Sequence, residues 1–221
     1  MKHIVVDLEM NTVTKRPEIS VLCNMETIEI GAVMLDDSLQ EIASFRTYVK
    51  PEYNSTIAPK IQKLTGITYP MVAGAPSFCE AFRMFTRWCL GTGDEVTVYA
   101  WSETDFNQIC KEMTLKNYEP EPEERVICDR KWSDFQEEFD TRLGFQKQLS
   151  LRNALEMMGF GFEGREHDAL DDARNTAELL QMFRDEEKFN LTCRKIEEVM
   201  KPSNVGISLG SLIDFSQFAL A

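Results

Sequence analysis

The chain has 221 residues, enough for one sizeable core with a tail or small appendage, and carries 24 Lys and Arg against 37 Asp and Glu for a formal net charge of −13. That balance argues against tight sequence-independent adhesion to long nucleic acid, which rests on many Lys/Arg–phosphate contacts, but leaves room for a short strand end held by a few phosphates and metal ions. No apolar run approaches the ~20 residues that span a bilayer, the six cysteines are scattered without a Cys-x-x-Cys, and no signal-peptide pattern opens the sequence, so reduced thiols in a cytoplasm are expected.

Taken in chain order, His3 to Asn11 opens on Ile4-Val5-Val6, a β-branched apolar run that predicts a buried strand. Asp7 and Glu9 follow at i, i+2, which on a strand puts both on one side. Two such carboxylates repel each other and lose hydration, a cost that a divalent cation bound through oxygens would offset. The alternative is a strand that stops at Asp7 with both acids solvated. Residues 12–24 are polar, include Lys15-Arg16-Pro17, and predict a loop long enough to be functional.

Glu26–Leu35 and Leu39–Val49 predict a hairpin turning at Asp36-Asp37-Ser38. Lys60–Leu64, followed by Thr65-Gly66, predicts a short helix ending on glycine. Ser77 opens an amphipathic helix through Leu90, with Phe78, Ala81, Phe82, Phe85 and Cys89 on one face. Glu95–Trp101 predicts a strand, and Ser102 a helix to about Asn117. Tyr118–Glu124 predicts a surface connection, Arg125–Asp129 a short strand and Trp132–Leu143 a helix. Ser150 caps a helix ending at Gly159; after a loop to Gly164, His167 leads into a helix over Ala169–Phe183. From Lys201 the character changes, and spaced apolar residues such as Ile207, Leu212 and Phe218 predict a tail docked on the chain's own body or on a second copy. Three early strands followed by strands alternating with helices predict an α/β sheet flanked by helices.

The helix after His167 is the most informative. At 100° per residue Ala169, Ala173, Thr176, Leu180 and Phe183 share the buried side, and Asp172 lies on its edge while Asp171 points outward. A carboxylate aimed into a packed face needs a cation, hydrogen bonds or an arginine from elsewhere. Asp168 reads as the helix cap, with Asp171 at the third position. His167 would project over the helix start, close enough to act on a water, or serve as an ordinary surface residue. Asp105 fits a Ser102-initiated helix box and is explained by that alone; the functional alternative is that it sits where a strand hands over to its helix, where ligands collect in α/β sheets.

Asp7-x-Glu9 ending a first strand, an Asp in mid-chain and His167-x4-Asp172 together resemble the DEDDh 3′→5′ exonucleases. Lys50–Thr68 and Phe162–Leu180 are similar to the Eri-type exoribonucleases, with the bacterial KapD-like proteins beside them. The resemblance implies a ribonuclease-H-like mixed sheet, its first strands antiparallel and later ones parallel, flanked by helices. It also implies an exonuclease domain over residues 1–186, leaving 187–221 as a C-terminal helix and tail of unknown role. Asp7, Glu9, Asp105 and Asp172 would hold two Mg²⁺ or Mn²⁺ ions, with His167 as general base. Glu9, Met10 and Asn11, with Leu64, Thr65 and Gly66, would contact the terminal nucleotide; Met10-Asn11 stands where the Eri-type enzymes often have Ala-Thr. The implied reaction is two-metal hydrolysis of a single-stranded 3′ end, RNA favoured, releasing nucleoside 5′-monophosphates. His167 would take the water's proton, so activity is expected to fall once acid protonates the ring. The alternatives are a proofreading-type DNA exonuclease, an oligonucleotide trimmer, or, from another class, a regulatory protein using the fold as a docking surface. No membrane association is expected, and a homodimer stays open.

Overall fold

A computed structural model describes residues 1–13, 17–145 and 147–200. In chain order the elements are β1 (Lys2–Thr12), α1 (Pro17–Ser20), β2 (Met25–Leu35), β3 (Glu41–Tyr48), α2 (Pro59–Thr65), α3 (Tyr69–Val72) and α4 (Phe78–Leu90). Then come β4 (Val96–Ala100), α5 (Glu103–Leu115), α6 (Arg125–Cys128), β5 (Ser133–Asp134), α7 (Phe135–Leu143), α8 (Leu151–Met157), α9 (Ala169–Arg184) and α10 (Glu186–Met200). The strands form one sheet in the order β3-β2-β1-β4-β5. β1 pairs antiparallel with β2 and parallel with β4; β2 pairs antiparallel with β3, and β4 parallel with β5. This is the mixed, helix-flanked sheet of the ribonuclease-H-like architecture.

Strand periodicity decides which side each residue of β1 serves. Ile4, Val6 and Leu8 face a core built with Phe78, Phe82 and Phe85 of α4 and Ile109 of α5. Val5 joins the opposite core, with Phe135, Phe139, Leu179, Leu180 and Phe183. Asp7 and Glu9 alternate with Val5 and so point to the α9 side. β1 does not stop at the acids. It pairs through Thr12, across a register shift in which Glu9 opposes Glu29 and Met10 opposes Thr27, making Ile28 the extra residue of β2. Both hydrophobic layers are therefore closed around a strand whose continuation is charged.

α9 approaches the sheet closely because small residues meet there. Ala169 and Ala173 are fully buried, and a Cβ on Gly31 of β2 would overlap the Ala169 backbone. Gly31 also lies opposite Asp7 in the ladder. α10 continues from α9 through Asp185, and its Phe189 is buried against Phe139 and Phe183, with ring centroids 6.4 and 5.3 Å apart.

Three local expectations need correction. Arg125–Cys128 is a helix rather than a strand. The preceding surface connection is exposed at Glu119 and from Glu121 to Glu123 as expected, but it is anchored at its ends: Glu124 is buried, and its carboxylate accepts from Tyr118 Oη, Thr86 Oγ1 and the Glu121 N–H. Trp132 precedes its helix, because Ser133–Asp134 pairs with β4 and the Asp134 carboxylate caps α7 at the Glu137 N–H. The loop expected over 12–24 contains the short α1, and Lys15 and Arg16 lie outside the described residues, as does the tail from Lys201.

Replacing Gly31 by Ala forces a methyl into backbone that cannot yield, and is expected to cost about 3 kcal/mol, the upper end for overpacking. Gly74, with open space around it, is the control: Gly74→Ala should leave the urea midpoint nearly unchanged while Gly31→Ala lowers it.

Candidate metal centre

Three elements deliver four acids to one place. β1 supplies Asp7 and Glu9, the first turn of α5 supplies Asp105, and the first turn of α9 supplies Asp172. Ligating atoms of Glu9, His167 and Asp172 all lie within 4.8 Å of one another. Asp7 and Asp105 stand outside that trio but within its field: the charges of Asp105, Asp172 and Glu9 all raise the pKa of Asp7.

Asp105 does not close a helix box. Ser102 Oγ caps α5 by accepting from the Thr104 N–H at 3.3 Å, whereas Asp105 is buried and its Oδ1 accepts the Leu8 N–H of β1 at 3.2 Å. Asp105, Gln108, Ile109 and Glu112 form the buried face of α5. Glu112 locks that face to β2 by accepting the Thr27 N–H and Oγ1, both at 2.6 Å, and Lys116 Nζ at 2.7 Å.

On α9, Asp168 caps the helix by accepting the Asp171 N–H, as the sequence predicts. Asp171 is not idle: it accepts the Arg165 N–H at 2.9 Å and fixes the preceding loop. Asp172 Oδ2 accepts the His167 N–H at 3.1 Å. His167 adopts a left-handed φ of 59°, uncommon for a residue with a Cβ, so the turn before α9 carries local strain. Its side chain is exposed, beside acids that are not.

Burial and crowding favour the neutral form of the acids. Desolvation first, then the neighbouring charges of Asp172 and Glu29, pushes Glu9 up to about 8. Desolvation pushes Asp105 and Asp172 up to about 7, partly opposed by the N–H groups of Leu8 and His167. Asp7 is raised well above the usual carboxylate range, again chiefly by burial. Among the described residues no salt bridge reaches any of the four. A set of oxygen ligands with one imidazole, desolvated and short of positive charge, fits Mg²⁺ or Mn²⁺.

Two neighbours escape sequence reasoning. Glu29, 1% exposed, faces Glu9 across the ladder. Arg46 of β3 bridges Glu29 Oε1 at 2.7 Å and Asp168 Oδ2 at 2.6 Å, while Glu29 Oε2 accepts the Ala169 N–H at 3.4 Å. The pair clamps the start of α9 to the sheet. An acid between Ile28 and Ile30, at the start of the apolar part of β2, was the available signal.

The expected nucleotide contacts divide. Leu64 is 39% exposed and Gly66, with φ 67°, ends α2 beside it; Met10 is partly open. Asn11 and Thr65 have other work. Asn11 is fully buried, donating from Nδ2 to Thr56 O and accepting the Ala58 N–H, which ties β1 to the approach of α2. Thr65 Oγ1 donates to Ile61 O and accepts the Ile67 N–H. Both shape the site with their polar atoms already engaged.

A mixed sheet with clustered acids at the mouth between β1 and the starts of α5 and α9 defines a class, the metal-dependent nucleases of ribonuclease-H-like fold. A family model described as RNase_T, Exonuclease, matches residues 4–180. The chain belongs to this exonuclease family, as a DEDDh-type 3′→5′ member related to the 3′-5′ exoribonucleases. It is 30% identical over 193 residues to ERI1 exoribonuclease 2 of Danio rerio, covering 80% of this chain and 35% of that one. It is 28% identical over 170 residues to 3′-5′ exoribonuclease 1 of Homo sapiens, covering 72% and 47%. The chain thus spans half or less of the length of these curated relatives. Its fold matches the nuclease domain of 3′hExo, a DEDDh family member bound to rAMP, with a TM-score of 0.72 at 22% identity over 85% of this chain and 94% of that one. It also matches a 3′-exonuclease that recognises a histone mRNA stem-loop, with a TM-score of 0.71 at 22% identity over 84% and 82%.

Because the folded site binds protons more tightly than the unfolded chain does, the metal-free protein should lose stability as pH rises from the ordinary carboxylate range through about 8. Thermal unfolding in EDTA is expected to give a higher midpoint at pH 6 than at pH 8.5, with Mn²⁺ raising the pH 8.5 midpoint more. Titration calorimetry in buffers of different ionisation enthalpy should show proton release on Mn²⁺ binding at pH 7, shrinking above pH 8.

Proposed function

We propose that this chain is a metal-dependent exonuclease acting on single-stranded RNA 3′ ends and releasing nucleoside 5′-monophosphates. In this reading residues 1–186 are the exonuclease domain and 187–221 an appendage. Cys23, Cys79, Cys89, Cys110 and Cys128 are free thiols, which suits a reducing compartment such as the cytoplasm. One observation carries the reading: oxygen atoms of Glu9 and Asp172 and a ring nitrogen of His167 converge within 4.8 Å, flanked by the buried Asp105 and by Asp7. A docking-only protein would have no use for so costly a cluster.

Asp7, Glu9, Asp105 and Asp172 would hold two Mg²⁺ or Mn²⁺ ions, which when bound supply charge neutralisation at the scissile phosphate and a lower pKa for the attacking water. His167, exposed at the rim with its backbone fixed to Asp172, would accept that water's proton. Attack at phosphorus breaks the bond to the 3′-oxygen of the upstream nucleotide, which leaves with the electron pair and takes up a proton. The freed nucleotide keeps the phosphate on its 5′-oxygen. Leu64, with Gly66 and Met10, offers an apolar ledge for the terminal base, while Asn11 and Thr65 hold that ledge in place. RNA is favoured because the two curated relatives described above are named exoribonucleases.

Mn²⁺-dependent release of mononucleotides from a 5′-labelled single-stranded RNA should be lost in Asp7→Ala; equal integrity of the RNA with both proteins would end the enzyme reading. The same assay with DNA, duplex RNA and very short oligomers separates the substrate alternatives. Asp172→Asn is expected to be inactive and Asp171→Asn nearly as active as wild type, since an amide oxygen can still accept the Arg165 N–H. His167→Ala should retain Mn²⁺ binding by calorimetry while turnover drops by a factor on the order of 10²–10⁴; loss of binding as well would make His167 chiefly a ligand.

A further inference from the structure

Arg165 lies in the loop between α8 and α9, and its side chain is spent in an unusual way. Nη2 donates to the Leu64 carbonyl at 3.1 Å, across 101 residues of sequence. The guanidinium occupies the space that a Cβ on Gly66 would take, so the glycine at the end of α2 admits the arginine as well as its own left-handed turn. The Arg165 backbone is pinned in turn: its N–H donates to Asp171 Oδ2, and Gly164 beside it is so close to the Asp171 carboxylate that a Cβ would overlap it. Two residues on, the His167 N–H is held by Asp172. An arginine with five donors commonly meets a carboxylate. Among the described residues this one forms no ion pair; its fork rests on the turn that carries Leu64.

We propose that Arg165 is a positioning residue: it latches the Leu64–Gly66 turn to the loop bearing His167, so that seating of the terminal nucleotide and placement of the base are set together. The proposal rests on the exonuclease reading above and deepens it. The loop and α2 are otherwise separate elements, one fixed to α9 and the other to β1 through Asn11. Without the arginine each keeps its own anchor, and the two are then related through the packing of α9 on the sheet rather than by this direct bond. Misplacement of a reacting group by about 1 Å can cost on the order of 10²-fold in rate.

Arg165→Ala and Arg165→Lys should be compared with wild type on two substrates, a single-stranded RNA oligomer and the p-nitrophenyl ester of uridine 5′-monophosphate. The ester has one phosphodiester and no upstream nucleotide. The latch predicts that Arg165→Ala lowers kcat by about tenfold or more on both substrates, with Mn²⁺ affinity and melting temperature unchanged. It predicts no rescue by lysine, whose ammonium cannot lie flat against Gly66. Independently of turnover, hydrogen–deuterium exchange of wild type and Arg165→Ala should show segments 62–68 and 163–168 loosening together. A raised KM on the oligomer alone, with the ester unaffected and lysine restoring activity, would make Arg165 a phosphate contact and overturn the latch. Unchanged kinetics and exchange would overturn it too. If wild type cleaves neither substrate, the exonuclease reading fails, while the exchange result still judges the latch.

Discussion

Everything at this site follows from forcing carboxylates together where water is scarce. At 4 Å and an effective dielectric near 20, one pair of like charges costs about 4 kcal/mol, and a domain's whole stability is about 5–15 kcal/mol. Oxygens of Glu9 and Asp172 come within 4.8 Å of each other, and with the charges of Asp7 and Asp105 acting on the same site the four could not all stay ionised without compensation. What holds them is neutral: the aromatic and aliphatic layers on both faces of the sheet, and the tight seat of α9 against Gly31. Apolar packing supplies the force and the acids bear the cost. They must bind either protons or cations, and this choice connects the fold to the chemistry.

The first part of the site was legible because it follows simple periods. A period of two on β1 puts Asp7 and Glu9 on one side, and a period of 3.6 on α9 separates Asp172 from Asp171; both survive in the structure. Asp105 was ambiguous because Ser102-x-x-Asp105 is a complete local explanation. Only a hydrogen bond from Leu8, 97 residues away, removes it from that role. Glu29 and Arg46 were hidden for a similar reason, since their meaning depends on the register that sets Glu29 opposite Glu9 and on where α9 begins. Asn11 and Thr65 enter as substrate contacts only through the family resemblance, since nothing local marks them. In the structure both are buried with their polar atoms hydrogen-bonded to the protein, Asn11 to the approach of α2 and Thr65 within its own turn.

The local misreadings have physical causes as well. Val126-Ile127-Cys128 has the residue types of a strand, but the buried Glu124 carboxylate fixes the chain just upstream and the segment turns helical. Trp132 keeps helical spacing with Phe135 and Phe139 and is buried with the α4 and α5 core instead. Two residues of edge strand and the Asp134 cap intervene. In both places a side chain reaching a distant partner overrides local propensity.

The start of α9 shows how the molecule divides the work of compensation. A helix N-terminus favours negative charge by only about 0.3–1 kcal/mol, much less than one close carboxylate pair costs, so the helix cannot itself balance Asp172 and its neighbours. Arg46 balances two of the surrounding acids, its fork spanning Glu29 and Asp168 at once. A lysine, with one compact charge, would serve both geometries poorly. That leaves Asp7, Glu9, Asp105 and Asp172 without a basic partner among the described residues, on the side where His167 is exposed. On the proposed reading a fixed cation there would occupy the space the reaction needs. With Arg46 spent on Glu29 and Asp168, the four acids would stay assembled, open to exchangeable ions and to an incoming phosphate.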